Sequence, residues 1–173
     1  MNKLYMPDKS TIRKARADKR QGKSASTQAG EFVHDEIEKI RKGKHGARSA
    51  KQAIAIGLNE ARRAGVDLKP PTKGKTSEKT RKSAESAYEK GQRHEPVSSK
   101  RSRASEKALK KEPKSTVSHE ALSKQAKQAS SKRSASSRSA AAKKASRTKG
   151  PRERSTAARK AARTRARGRK KSA

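Results

Sequence analysis

The large apolar side chains of this chain are concentrated in one short stretch, and this distribution limits what the chain can fold into. The nine members of this stretch are Phe32, Val33, Ile37, Ile40, Ile54, Ile56, Leu58, Val66 and Leu68. Beyond Leu122, no aliphatic or aromatic residue is larger than Ala. A segment without such side chains cannot bury enough apolar surface to offset the entropy of ordering. We therefore expect one small domain, at residues 24–68.

Charge strengthens this expectation. The 173 residues include 50 Lys and Arg against 16 Asp and Glu, which gives a formal net charge of +34, and only 27% of the residues are hydrophobic. Low hydrophobicity combined with high net charge is typical of disordered chains. The sequence therefore predicts a mostly disordered chain with a small all-α helical hairpin and transient helices elsewhere.

The first helix of the hairpin is predicted over about residues 27–42. Its apolar residues Ala29, Val33, Ile37 and Ile40 recur at spacings of four, four and three, which places them on one face. Ser26 is the expected N-cap, and Gly43 is expected to end the helix.

The second helix is predicted over about residues 50–64. Ser49 and Gln52 match the capping-box pattern at its start, and Gly65 is a natural stop at its end. Gly57 lies beside the apolar stripe and is expected to let the partner helix come close.

The chain is expected to divide into four segments. The first two are a basic N-terminal arm at 1–23, with a short helix from Thr11 to about Gln21, and the helical domain at 24–68. A polar linker follows at 69–117, with a transient helix over 77–90. The last segment is a disordered tail at 118–173, rich in Lys, Arg, Ala and Ser. Because the domain is small, we expect marginal stability, a homodimer through residues 24–68, or stabilisation by a bound polyanion.

The excess of positive charge points to nucleic acid as the partner. A membrane partner is not expected, because surface binding uses Trp, Phe or Leu to enter the lipid and the chain has one Phe and no Trp. Readers of single strands usually supply aromatic platforms, whereas Tyr5, Phe32 and Tyr88 are the only aromatic residues here. Duplex DNA is therefore favoured, and RNA is the alternative.

Candidate binding residues come from the loop between the helices and from the tail. The loop at 43–49 could present backbone amides together with Lys44 and Arg48 to a phosphate, or it could be a plain turn. The residues predicted to contact nucleic acid are Lys44, Arg48, Lys51, Arg62, Arg63, Lys132, Arg133, Lys143, Lys144, Arg159, Lys160, Arg163, Arg165, Arg167, Arg169, Lys170 and Lys171.

No pattern in the sequence predicts catalysis, a metal or a cofactor. The segment from His119 to Ser123 begins like a zinc-protease motif, but Ser123 stands where the second His ligand is required. The chain has no Cys, and its N-terminus has no apolar run long enough for a signal peptide. We expect a protein that is not an enzyme and that is cytoplasmic and associated with the nucleoid.

Residues 51–58, Lys-Gln-Ala-Ile-Ala-Ile-Gly-Leu, together with Gly30–His34 and Ala61–Val66, resemble a family of small basic bacterial proteins that share a K-Q-A-I-A-I-[AG]-L core. Members of this family are uncharacterised or labelled DNA-binding, so the resemblance implies DNA binding. The tail is similar in composition to the tails of linker histones and of bacterial histone-like proteins.

These observations predict a histone-like protein that binds duplex DNA without sequence specificity and neutralises, compacts or bridges it. One alternative is a basic protein associated with RNA or the ribosome. Another is a protein-interaction adaptor that the basic tail localises.

Overall fold

The chain is helical through most of the residues that the structure describes. The computed structural model describes residues 7–148 and 150–171, with the main chain alone at 145, 148, 153 and 167–171. Over these residues the chain forms eight α-helices and no strand, and 72% of the residues are helical. The helices are α1 (Lys9–Arg20), α2 (Ala25–Arg41), α3 (Ala50–Arg63), α4 (Glu78–Gln92), α5 (Ser99–Lys110), α6 (His119–Ser131), α7 (Ala135–Thr148) and α8 (Pro151–Lys171), and a 3-10 turn spans Ser115–Val117.

The prediction of a mostly disordered chain around a two-helix hairpin is wrong. Helices α2 and α3 cover the two segments of the predicted hairpin, but α1 also packs against α2 and α4 packs against α3. The core between these helices is built largely from alanine. The prediction of disorder counted only large apolar side chains and therefore missed this core. The buried alanines are Ala15, Ala29, Ala47, Ala50, Ala53, Ala61, Ala84 and Ala87. Small residues at a helix contact exclude water by letting the helix axes approach, so a core can form from them.

One core cluster shows how the first three helices are joined. Ala15 of α1, Ala29 and Phe32 of α2 and Ala61 of α3 are buried against one another, with Val66 just beyond α3. Phe32 is fully buried and is the largest side chain of the group. The basic N-terminal helix is therefore part of the folded unit, because Ala15 supplies it with an apolar contact.

Local capping explains where α2 and α3 begin. α2 starts two residues earlier than predicted, because Ser24 rather than Ser26 is the N-cap and its Oγ accepts a hydrogen bond from the Thr27 amide. At α3 the predicted cap is confirmed, since the Ser49 Oγ accepts from the Gln52 amide at 3.2 Å. The Gln52 side chain in turn accepts from the Arg48 amide at 2.7 Å.

The prediction of a disordered tail at 118–173 is also wrong, because α6, α7 and α8 occupy it. Internal contacts divide the chain into two units, Met1–Gln125 and Ala126–Ala173. No described side chain of α7 or α8 is buried, so these helices depend on local signals. Ala, Lys and Arg are good helix formers, the Ser134 Oγ accepts from the Ser137 amide near the start of α7, and Pro151 stands at the first position of α8.

The contact between α2 and α3 depends on Gly57. A Cβ placed on Gly57 would lie 2.7 Å from the Cα of Val33 and 3.0 Å from the carbonyl oxygen of Phe32. Both are main-chain atoms of α2, so neither can move aside without shifting the helix. The expectation that Gly57 lets the partner helix come close is confirmed.

Four ionisable side chains are buried around α2, α3 and the loop that joins them. Glu36, Lys39, His45 and Glu60 are each 6% exposed or less. The Lys39 Nζ lies 2.9 Å from Asp35 Oδ2 and 3.6 Å from Glu60 Oε2. The His45 Nε2 lies 3.5 Å from Glu36 Oε2, which ties the loop to α2.

Burial and proximity shift the pKa values of this cluster. Burial raises the pKa of Glu60 to about 7, although Lys39 acts in the opposite direction. Hydrogen bonding with the Glu36 carboxylate raises the pKa of His45 above its ordinary value, against the effect of burial. Burial would lower the pKa of Lys39, but the neighbouring carboxylates of Glu60 and Asp35 outweigh it and the pKa is raised.

Substitution of Gly57 tests the close approach of α2 and α3. We expect Gly57→Ala to lower the free energy of unfolding by about 1–3 kcal/mol, because the added methyl group must displace main chain. Gly30→Ala in α2 is the matched control, since nothing lies within 4 Å of its added Cβ. It should stabilise by up to about 1 kcal/mol through helix propensity. Urea unfolding followed by circular dichroism measures both changes, and equal effects would contradict the packing.

The buried cluster predicts that stability falls as pH rises. Glu60 has an ordinary pKa of 4.5 and a folded pKa of about 7, so between these values the folded state keeps a proton that the unfolded state has lost. The stabilisation is therefore complete below about pH 4.5 and is lost as the pH rises through about 7. His45 acts in the same direction, because its pKa is raised above 6.5.

Glu60→Gln should flatten this dependence and raise the free energy of unfolding at pH 8 by about 1–3 kcal/mol. Urea unfolding at pH 5, 6, 7 and 8 measures the slope. Glu89→Gln on an exposed position of α4 is the control and should leave the slope unchanged. A Glu60→Gln protein with the wild-type slope would contradict the assignment of the pH dependence to this carboxylate.

Candidate nucleic-acid interface

Burial removes negative charge from the surface more than positive charge. In residues 7–125, four of the 15 Asp and Glu are buried, compared with two of the 31 Lys and Arg. The buried carboxylates are Asp18, Glu36, Glu60 and Glu106, and the buried cations are Lys39 and Arg62. The surface of this part of the chain is therefore more strongly basic than its composition alone indicates.

The loop between α2 and α3 uses its main-chain amides for folding. The Gly46 amide donates to the Leu109 carbonyl at 2.9 Å, and the Ala47 amide donates to the Pro113 carbonyl at 3.0 Å. The Lys44 amide donates to Lys39 and the Arg48 amide to the Gln52 side chain. The amides of Lys44, Gly46, Ala47 and Arg48 therefore already have partners within the protein. They are not available to a phosphate, as the predicted site at this loop would require.

The side chains of this region face solvent. Lys44, Arg48 and Lys51 are all exposed. Arg48 keeps 78% of its side chain exposed, although its Nε lies 3.7 Å from Glu112 Oε1. Their positions are compatible with contacts to a phosphate backbone through side chains.

Arg62 and Arg63 lie at the end of α3 and have different environments. Arg62 is buried, its Nε donates to the Leu68 carbonyl at 3.0 Å and its Nη1 donates to Asn59 Oδ1 at 3.1 Å. Burial lowers its pKa. Arg62 therefore holds the segment after α3 in place, whereas Arg63 is half-buried and donates to the Glu95 carbonyl.

The predicted tail residues are distributed over the unit at 126–173. Those whose side chains are described are all exposed, namely Lys132, Arg133, Lys143, Lys144, Arg159, Lys160, Arg163 and Arg165. The side chains of Arg167, Arg169, Lys170 and Lys171 lie outside the described residues. In α8 the exposed Arg152, Arg159 and Arg163 are spaced by seven and four residues, so they share one helix face.

The structure adds a cationic face on α1 that was not among the predicted contacts. Its members are Lys9, Arg13, Arg16 and Arg20, which are all exposed. Their spacings of four, three and four place them on one side of the helix, opposite the buried Thr11, Ala15 and Asp18. The spacing is visible in the sequence, but only the packing of Ala15 against α2 shows which way this face points.

Neither a metal site nor a membrane span is found in the part of the chain that the structure describes. No group of three or more His, Cys, Asp and Glu side chains there could hold a metal ion. None of the helices there is both long and apolar enough to cross a membrane.

Part of the chain matches a known protein family. Residues 11–74 match the model of a family of unknown function, DUF6496. The matched segment begins inside α1, contains α2 and α3, and ends before α4. No curated protein and no solved structure matches the chain.

Proposed function

We propose that this protein is a nucleoid-associated, histone-like protein that binds the phosphate backbone of duplex DNA without sequence specificity. The observation that carries the proposal is the separation of charge: in residues 7–125 most carboxylates are buried or paired with a cation, while most Lys and Arg are exposed and several share a helix face. A basic surface of this kind attracts DNA and displaces its condensed counterions.

Helix α8 has the charge density that this role requires. Its 21 residues include ten Lys and Arg and one Glu. A helix of this length extends about 31 Å, a distance over which duplex DNA carries roughly 18 phosphates. Like charges at neighbouring helical positions repel one another, so neutralisation by phosphates stabilises the helix while it binds.

The two units of the chain can contribute separately. Residues 126–173 contain 18 Lys and Arg against one Glu, and residues 1–125 contain 32 against 15, so each unit carries a formal charge of +17. A protein with two strongly basic units can contact two duplex segments. This supports bridging and compaction as the consequence of binding.

The aromatic side chains favour a duplex over a single strand as the ligand. Phe32 is fully buried in the core, and the Tyr88 hydroxyl donates to Asp67 Oδ1 at 2.6 Å. Tyr5 lies outside the described residues. Binding by base stacking needs exposed aromatic faces, whereas binding to a duplex backbone needs only positive charge at the surface.

The salt dependence of binding tests the proposal. If six to ten phosphates are contacted, the plot of log Kd against log salt for a 30-base-pair duplex should have a slope of about 5–9 in magnitude. Fluorescence anisotropy between 50 and 300 mM NaCl measures this slope with duplexes of two unrelated sequences, which should bind equally. A nearly flat dependence would refute the proposal, and stronger binding of a structured RNA at the same salt would assign the surface to RNA.

The cationic face of α1 predicts a position-dependent loss of affinity. Replacing Lys9, Arg13, Arg16 and Arg20 together with Gln should lower the salt slope by up to about 3.6, because each lost phosphate contact removes about 0.9. Gln has a helix propensity close to those of Lys and Arg, so α1 should be retained.

The control replaces four exposed lysines around the start of α4, Lys69, Lys73, Lys75 and Lys79, with Gln. It removes the same charge and should reduce the slope less. Equal losses in the two variants would show that total charge matters and that the α1 face does not.

A further inference from the structure

We infer that the loop between α2 and α3 and the segment at 107–114 together form one preorganised surface that binds the phosphate backbone of duplex DNA. This composite surface consists of Lys44, Arg48, Lys107, Lys110, Lys111 and Lys114, all of which are exposed. The inference rests on the proposed function, because its ligand is the same duplex. The phosphate contacts made from a fixed main chain are thereby assigned to two segments that are about 65 residues apart in sequence.

Main-chain hydrogen bonds hold the two segments together. The Gly46 amide donates to the Leu109 carbonyl at 2.9 Å, and the Ala47 amide donates to the Pro113 carbonyl at 3.0 Å. The Thr116 Oγ1 donates to the Ala47 carbonyl at 2.8 Å. The segment is thus attached to the loop through the same amides that a phosphate would otherwise have used.

An apolar contact anchors the end of the same segment. Val117 is 1% exposed and packs with Ile40, Ala47 and Ala53 in a second core cluster. The Arg41 Nε donates to the Val117 carbonyl at 3.3 Å. Because both α2 and α3 contribute to this cluster, the segment is fixed relative to these two helices.

Gly46 shows how closely the segment and the loop approach each other. A Cβ on Gly46 would overlap the Glu112 carbonyl oxygen and would lie 2.7 Å from the Pro113 carbonyl oxygen. Both are main-chain atoms, so any side chain at position 46 must push the segment away. Gly46 is therefore required for the composite surface.

Docking brings lysines of the segment beside the cations of the loop. The Lys114 Nζ lies 3.6 Å from the position that a Cβ on Gly43 would take, next to Lys44. Lys110 pairs with Glu106 at 2.8 Å and Arg48 lies near Glu112, whereas Lys44, Lys107, Lys111 and Lys114 have no carboxylate within 4.0 Å among the described residues. These four ammonium groups are available to phosphates.

The segment also lines a concave region. A hollow of about 410 Å³ runs along α5, lined by Arg103, Glu106, Lys107, Lys110 and Lys111. Glu106 is the one carboxylate of this lining, and Lys110 pairs with it. These five residues lie along one face of α5 and its C-cap, so the hollow is open to solvent, and its excess of positive charge attracts anions.

Preorganisation distinguishes this surface from cations on an unanchored helix. Lysines on a docked segment have a fixed main chain, so less conformational entropy is lost when they contact a phosphate. A phosphate contact from one of these lysines therefore contributes more to affinity than a contact from a lysine on an unanchored helix. The consequence can be tested without changing net charge, by releasing the segment from the loop.

The experiment measures duplex binding by full-length Gly46→Ala and by the matched control Gly30→Ala. Gly46→Ala should weaken binding of a 30-base-pair duplex about five- to tenfold at 150 mM NaCl and lower the salt slope by about 1–2, as if one or two phosphate contacts were lost. Gly30→Ala should bind like the wild type, because its added Cβ meets nothing within 4 Å. Circular dichroism checks that the helices are retained.

Two further variants keep the test decisive if Gly46→Ala disturbs the packing of α2 and α3. Val117→Ser weakens the apolar anchor without changing charge and should reproduce the loss. The triple variant Lys107→Gln, Lys111→Gln and Lys114→Gln should weaken binding in the wild-type background and clearly less in the Val117→Ser background, because the released segment no longer contributes fixed contacts.

The outcomes separate the inference from the proposed function. If the wild type shows the expected salt slope but Val117→Ser binds with unchanged affinity, the composite surface is refuted and general DNA binding stands. The same holds if the triple lysine variant loses equally in both backgrounds. If the wild type shows no salt-dependent duplex binding, the proposed function fails and the inference fails with it.

Discussion

The close contact between α2 and α3 is the interaction on which the rest of the folded unit depends. At Gly57 the main chains of the two helices approach so closely that no side chain fits between them. This approach allows alanines such as Ala29 and Ala61 to exclude water together with Phe32. Helix α1 then packs against α2, and α4 packs against α3. A chain with few large apolar residues folds because short side chains are sufficient at a close contact.

The same contact encloses charge. Glu36, Lys39, His45 and Glu60 lie inside a protein whose formal charge is +34, and they compensate one another there in part. Withdrawing carboxylates into the interior has an electrostatic consequence at the surface, because it leaves the exposed cations less neutralised. Burial that destabilises individual groups, as the raised pKa of Glu60 indicates, also makes the outside of the fold more attractive to a polyanion.

The interior cluster and the proposed interface are linked through the loop between α2 and α3. The buried His45 contacts Glu36, while its neighbours Gly46 and Ala47 donate hydrogen bonds to the segment at 107–114. The loop is thereby held by the buried contact between His45 and Glu36 and by main-chain hydrogen bonds to the segment. Its cationic side chains, Lys44 and Arg48, are left at the surface on a rigid support, which is the arrangement that a phosphate contact benefits from most.

The sequence by itself determined the net charge, the places where α2 and α3 form, the cap at Ser49 and the need for a small residue at position 57, because each depends on composition or on neighbours within a few residues. Only the tertiary structure decided that the alanines form a core, that Arg62 is buried, and that residues 109–117 dock on the loop. Alanine occurs both at buried helix contacts and on exposed helices, so the sequence does not distinguish the two positions. The same holds for a buried and an exposed arginine. Which of these roles such a residue takes depends on the helices that pack against it, and the pattern along one segment does not contain that information. The tail is the opposite case. Its capping Ser134, its Pro151 and its helix-forming composition are local signals that favour helices. The prediction of disorder instead rests on the absence of a core, whereas α7 and α8 form their main-chain hydrogen bonds without burying a described side chain.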